Sequence, residues 1–111
     1  MTEQPREWIA ELNDRFRKGD VSLGTYRMTP MVQALTPEQR DRVIAQIQGF
    51  EEFTEEDDPY GEHDFGGVEV DGEKYFWKID YYSPDMEYLS EDPSGPNETR
   101  RVMTVMHCTE Y

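Results

Sequence analysis

Apolar positions in the first third of the chain recur at helical spacing. Trp8, Ile9, Leu12 and Phe16 fall at i, i+1, i+4 and i+8, which predicts an amphipathic helix over residues 5–18. Pro5 suits its first turn, the run Glu7–Glu11–Arg15 supplies one favourable i,i+4 pair, and Gly19 marks the stop. Residues 21–28 read as a short strand with Val21, Leu23 and Thr25 on one face, weakened by Gly24. Thr36-Pro37-Glu38-Gln39 is a helix start: Thr36 as N-cap, Pro37 as the first helical residue, Gln39 as the return partner of a capping box. Val43, Ile44, Ile47 and Phe50 continue it as one stripe to about residue 49, or on to Phe53.

Further on, the period changes from 3.6 to 2. Residues 66–70 and 74–82 flank Asp71-Gly72, a hairpin signal between extended runs. In the second run Tyr75, Trp77, Ile79 and Tyr81 share one face; Phe76, Lys78, Asp80 and Tyr82 share the other. Pro84, Pro93, Pro96 and Gly95 make residues 83–98 a long loop, and the alternating residues 100–108 a last strand. The expected architecture is a single α+β domain over residues 1–111. Two helices pack on one face of a three- to four-stranded, mainly antiparallel sheet.

Composition adds tension to this picture. Leu, Ile, Val and Phe make up under a fifth of the chain and the net charge is −14, a combination that approaches disorder. Seven Tyr and two Trp restore enough apolar area for a small core. The single cysteine, Cys108, excludes an internal disulfide and a Cys-rich zinc site. No apolar run is long enough to span a membrane and no leader-like core opens the chain, so a cytoplasmic protein is expected. Such acidity argues against direct binding to nucleic acid or to an anionic membrane.

The charge is segregated. Residues 1–50 sum to zero and residues 99–111 to +1, whereas residues 51–98 set 17 acids against Lys74 and Lys78, a sum of −15. The densest stretch is Glu51–Asp64, EEFTEEDDPYGEHD, and a second contains Asp85, Glu87, Glu91 and Asp92. Three readings of this segment stand side by side. It is a solvated surface loop, or a surface that imitates nucleic acid, or a cation site in which Asp57, Asp58, Glu62 and Asp64 supply oxygen ligands. His63, between Glu62 and Asp64, reads as a general base or as a hydrogen-bonded tie that holds the loop down, with the tie favoured. Lys78 and Asp80 read as an internal salt bridge, because the acid-lysine order of a nuclease motif is reversed. Cys108 has no adjacent base, and there is no Gly-rich phosphate loop and no Gly-x-Ser-x-Gly elbow, so no cofactor is expected. The aromatic residues of the 74–82 strand leave one face available for an interface, with Tyr60, Tyr82, Tyr88 and Tyr111 as its exposed members.

Glu62-His63-Asp64-Phe65-Gly66, Trp77-Lys78-Ile79-Asp80-Tyr81-Tyr82, Glu91-Asp92-Pro93, Thr99-Arg100-Arg101-Val102 and Glu110-Tyr111 together resemble a family of small bacterial proteins known as domain of unknown function 3768. Leu12-Asn13-Asp14-Arg15-Phe16-Arg17 fits it too, while residues 22–34 depart from its pattern. The resemblance implies no activity. It does imply an origin among alphaproteobacteria, their plasmids and mobile elements, where small proteins often counter host defences.

The leading expectation is therefore a non-enzymatic interaction protein, most concretely an anti-CRISPR or antirestriction inhibitor. It would occupy a basic nucleic-acid-binding surface of a defence protein. Glu55, Glu56, Asp57, Asp58, Glu62 and Asp64 would stand in for phosphates, Asp85 and Glu87 would extend the surface, and Tyr60 and Tyr88 would anchor it. The alternative is a small metal-dependent hydrolase or nuclease built on Asp57, Glu62, His63, Asp64 and Asp80. A self-associating structural protein is a third reading.

Overall fold

The structure is a computed structural model that describes residues 5–111, with side chains from Trp8 onward. Pro5 stands in the first turn of the first helix, as expected, while the readings placed on the Glu7 side chain and on the first four residues lie outside the described residues. Helix α1 spans Pro5–Arg17. Its buried stripe is Ile9, Leu12, Asn13, Phe16 and Arg17, while Trp8 is 43% exposed. The apolar stripe expected from Trp8 is thus rotated, and two polar residues enter the core side.

Residues 21–28 do not form one strand. Asp20 accepts hydrogen bonds from the Ser22 amide and hydroxyl, which winds Val21–Leu23 into a 3-10 turn; strand β1 is only Gly24–Met28. Of the three residues expected on one face, only Leu23 is buried. A one-turn helix, α2 (Pro30–Gln33), follows with buried Val32. Helix α3 (Pro37–Gln48) starts with the expected capping box, both bonds present, and ends at Gly49 rather than continuing to Phe53. Val43 and Ile47 are its buried residues.

The hairpin forms as expected. Strand β2 is Phe65–Val70 and β3 is Glu73–Tyr82. Asp71 and Gly72 sit between them at φ 55 and 80, the two positive values a type I′ turn needs, which glycine adopts without strain. Strand β4 is Arg100–His107, followed by a 3-10 turn at Cys108–Glu110.

The four strands lie in the order β1-β4-β3-β2. β2–β3 and β3–β4 are antiparallel, but β1 runs parallel to β4. The sheet is therefore mixed, a correction to the mainly antiparallel expectation. The reason is the connection: the segment from β1 to β2 carries α2 and α3 from one edge of the sheet to the other, and a helical crossover of this kind joins strands of the same direction.

The core lies between the helices and one face of the sheet. Leu12 and Phe16 of α1, Val43 and Ile47 of α3, Val68 and Val70 of β2, Tyr75, Trp77 and Ile79 of β3, and Met103 and Val105 of β4 belong to one cluster. The β3 residues are those assigned to a common face from their alternation. On the opposite face Phe76 packs against Phe65 and Tyr111, with ring centroids 5.4 and 5.2 Å apart.

Candidate functional site

Strand direction places both acidic segments at one end of the sheet. β2 begins where β3 ends, with Phe65 opposite Lys78, and β4 begins opposite that same end, with Arg100 opposite Tyr82. Residues 49–64 enter β2 there, and residues 83–99 connect β3 to β4 there.

A polar cluster sits behind these two segments and joins them. Asn13, fully buried on α1, donates to the Glu62 carbonyl at 3.0 Å and to the Tyr81 hydroxyl at 2.8 Å. Its own carbonyl accepts from Arg101 Nε at 2.6 Å. Arg101, also fully buried, donates through Nη2 to the Pro93 carbonyl at 2.6 Å and stacks over the Tyr81 ring. One Asn–Arg pair thereby holds the first acidic segment at Glu62 and the second at Pro93. The Tyr81 hydroxyl donates to Glu62 Oε1 at 2.9 Å. Burial raises the pKa of Tyr81 above that of an ordinary phenol, so it stays a donor, and burial lowers that of Arg101.

A second set of contacts fixes His63. Its Nδ1 lies 2.9 Å from Asp14 Oδ1 and its ring stacks on Phe53 at 3.9 Å with a 2° angle between planes. Asp14 also accepts from Arg17 Nη1 at 2.8 Å. Arg17, 2% exposed, donates to the carbonyls of Ile47 and Phe50 and lies over Phe53 and Trp77, tying the end of α3 to α1. The His63 backbone is held at φ 59, and its amide and that of Glu62 donate to the Asp58 carboxylate.

The expected site residues therefore divide. Glu55, Glu56 and Asp57 are exposed, as are Tyr60, Asp85, Glu87 and Tyr88. Asp58 is not: it is 7% exposed and turned inward onto two amides, so it offers no phosphate-like charge to a partner. Glu62 and Asp64 are half-buried, Glu62 engaged by Tyr81. Burial, and after it the charges of Glu62, Asp58 and Asp80, push the Asp64 pKa up to about 6. Asp85 is exposed but caps its own turn, accepting from Ser83 Oγ at 2.6 Å and from the Glu87 amide at 3.1 Å. Lys78 and Asp80 form the expected pair at 3.4 Å. Among the described residues no group of three or more His, Cys, Asp or Glu side chains is placed to hold a metal ion. Glu62, His63 and Asp80 each engage a separate partner, Tyr81, Asp14 and Lys78, rather than a common centre.

Asn13, Asp14, Arg17 and Arg101 were absent from the sequence-based candidates. A signal for the first and third existed: Asn13 and Arg17 follow Ile9 at intervals of four, on the buried stripe of α1, where a polar residue must find buried partners.

A family model described as protein of unknown function (DUF3768) matches residues 28–110, which includes the Glu62-His63-Asp64, Trp77–Tyr82 and Thr99–Val102 motifs and leaves α1 outside. No curated protein and no solved structure matches the chain. Among the described residues no helix is long and apolar enough to cross a membrane.

Proposed function

Because the chain belongs to the DUF3768 family, whose description names no activity, we propose from its own residues that it is a non-enzymatic interaction protein. In this reading its acidic end docks against a basic, nucleic-acid-binding surface of an intracellular defence protein and blocks the path of DNA or RNA, as an anti-CRISPR or antirestriction inhibitor does. One observation carries the reading. Glu51, Glu52, Glu55, Glu56 and Asp57 are all exposed and, among the described residues, none is paired with a cation, although the segment they occupy is anchored at both ends by half-buried bonds to Phe50 and Asp58. Unpaired carboxylates on a tethered segment are costly for a free protein and favourable for one that meets a cationic partner. If extended at about 3.3 Å per residue, the segment carries about one charge per 5 Å, against one per ~1.7 Å for a duplex.

The test separates surface charge from fold. A tagged chain is used to retrieve partners from bacteria carrying restriction and CRISPR systems, with elution by a salt gradient. Affinity for the retrieved protein, and competition with its nucleic acid, are then measured for the chain and for the triple reversal Glu55→Lys, Glu56→Lys, Asp57→Lys. The reading requires a nucleic-acid-handling partner, release by moderate salt, competition, and loss of binding in the triple variant with unchanged circular dichroism. Asp58 is left intact because its reversal would bury a cation against two amides. Full affinity in the triple variant, or a partner that binds its nucleic acid and this chain together, refutes the reading.

A further inference from the structure

Beside the acidic segment, at the β2 edge, lies a depression of about 540 Å³. Its lining includes Glu52 and Asp57 of the acidic segment, the rings of Phe65, Phe76 and Tyr111, and Lys74. The rings are not coplanar. Phe65 and Phe76 are 26° apart at 5.4 Å, and Tyr111 is tilted 49° and 52° from them at 5.7 and 5.2 Å, so the three enclose a wedge rather than a flat patch. We propose that this depression is a socket for an arginine side chain of the basic partner, an inference that rests on the acidic-surface reading above and names where its first anchor enters.

Three features select that occupant. The Lys74 ammonium already sits 5.4 Å from the Phe76 ring centroid, so the ring face is used as a cation platform within the chain itself. Glu52 and Asp57 line the same depression as the rings, exposed and unpaired among the described residues, so an anion is repelled and a purely apolar group would strip water from two carboxylates without replacement. A guanidinium satisfies both kinds of lining residue: its plane stacks on a ring and its N–H fork donates to carboxylate oxygens, which a compact ammonium does less well. The floor is kept open by Gly67, where a Cβ would come within 3.1 Å of the Lys74 Cε and 3.2 Å of the Phe76 ring. Three aromatic residues and two acids lining one depression make a site of this kind distinct from the exposed carboxylates at positions 55 and 56, which do not line it.

The test uses the isotopically labelled full chain and two neutral-backbone probes, N-acetyl-arginine amide and its uncharged isostere N-acetyl-citrulline amide, each titrated to tens of millimolar at constant ionic strength. The proposal requires that the Phe65, Phe76 and Tyr111 ring resonances move with the arginine probe, and that citrulline binds at least about threefold more weakly. Tyr111→Ala and Glu52→Gln, both at exposed positions, should each weaken the arginine response by a similar factor while backbone spectra elsewhere stay unchanged. Rings that do not move, or equal responses to arginine and citrulline, overturn the socket. The acidic-surface reading fails on a different result, that of the double reversal Glu55→Lys, Glu56→Lys, which leaves Glu52 and Asp57 of the socket intact. If charge reversal there abolishes partner binding while the rings ignore arginine, the socket falls alone. If the rings respond selectively but the reversal leaves partner affinity intact, the partner reading falls and with it the claim that the socket serves that partner.

Discussion

Truncating Asn13 to Ala should uncouple the two acidic segments and cost a large part of the stability of the fold. Asn13 makes three buried or half-buried hydrogen bonds, to the Glu62 carbonyl, to the Tyr81 hydroxyl and from Arg101 Nε. The first two are neutral and contribute about 1 kcal/mol each; the third involves a buried cation and contributes about 1.5–3 kcal/mol. Arg101 Nη1 is already buried without a partner, so after truncation the guanidinium keeps only its bond to the Pro93 carbonyl. The sum is about 3–5 kcal/mol, against the 5–15 kcal/mol typical of a whole domain. In urea, with a slope of about 1–3 kcal/mol/M, the midpoint should fall by about 2 M. Amide exchange should rise together at Glu62 and His63 in one segment and at Gly95 in the other, since one side chain holds both. A double-mutant cycle with Arg101→Met isolates the pair and should give a coupling of at least about 1 kcal/mol. A loss below about 1 kcal/mol for Asn13→Ala, or strict additivity in the cycle, would refute the role assigned to this pair.

Two further perturbations follow from close contacts and from titration. Gly66 is buried against Trp77, where an added Cβ would lie 2.8 Å from the indole Nε1 and Cζ2; since Trp77 is fully buried and cannot move aside, Gly66→Ala should cost about 1–3 kcal/mol and lower the melting temperature by at least about 5 °C, and an unchanged melt would show that the sheet yields there. Asp64 has a folded-state pKa pushed up to about 6 from an ordinary 3.8, so between those values the folded chain holds a proton that the unfolded chain has released, and stability falls as pH rises through that window. Asp64→Asn should remove this slope and raise stability at neutral pH by about 1–2 kcal/mol after solvent screening, measured as the difference in urea midpoint between variant and wild type at about pH 4 and pH 7.5; parallel profiles would contradict the assignment.

The parts of the fold legible in the sequence are those with local physical causes. The Thr36–Gln39 capping box, the Asp71-Gly72 turn and the face shared by Tyr75, Trp77, Ile79 and Tyr81 each depend on residues within a few positions of one another, and each appears as read. The parallel pairing of β1 with β4 depends on contacts about 77 residues apart, for example Gly24 with Arg101, and no periodicity encodes it. Even so, the helix read between β1 and β2 was a hint that the connection crosses the sheet. Thr29-Pro30 repeats the Thr-Pro start seen at Thr36-Pro37, and α2 begins there. The site was half legible. Exposed Glu55, Glu56 and Asp57 were named from composition alone, but Asp58 sits in the same acidic run and is turned inward, because a run of like residues does not reveal which member caps the turn at Glu62 and His63. Likewise His63 was read as a tie, yet its partner is Asp14, 49 residues away, and not its neighbours Glu62 and Asp64.

The same accounting explains how a chain of net charge −14 leaves one end so strongly anionic. Its bases are largely engaged in building the fold rather than in neutralising the surface. Arg17 and Arg101 are buried and donate mainly to backbone carbonyls and Asn13, Arg40 donates to the carbonyls of Gln33 and Leu35, and Arg15 and Arg42 pair with Asp20 and Asp71 in or beside the helical half. Buried arginines that satisfy carbonyls keep their charge but hold it behind the surface, where it attracts the acidic segments from within without covering any of their exposed oxygens. A protein selected only for stability gains by moving such cations outward, next to Glu51, Glu52, Glu55, Glu56 and Asp57, since an exposed pair avoids the desolvation cost of a buried guanidinium. Here the two buried guanidiniums, Arg17 and Arg101, stay inside while those five acids stand outside, and two tethers, Asn13–Arg101 and Asp14–His63, hold the acidic loops in place against their mutual repulsion. That combination loses free energy in the isolated chain and would recover it against a cationic surface, which is the physical ground for the partner proposed above.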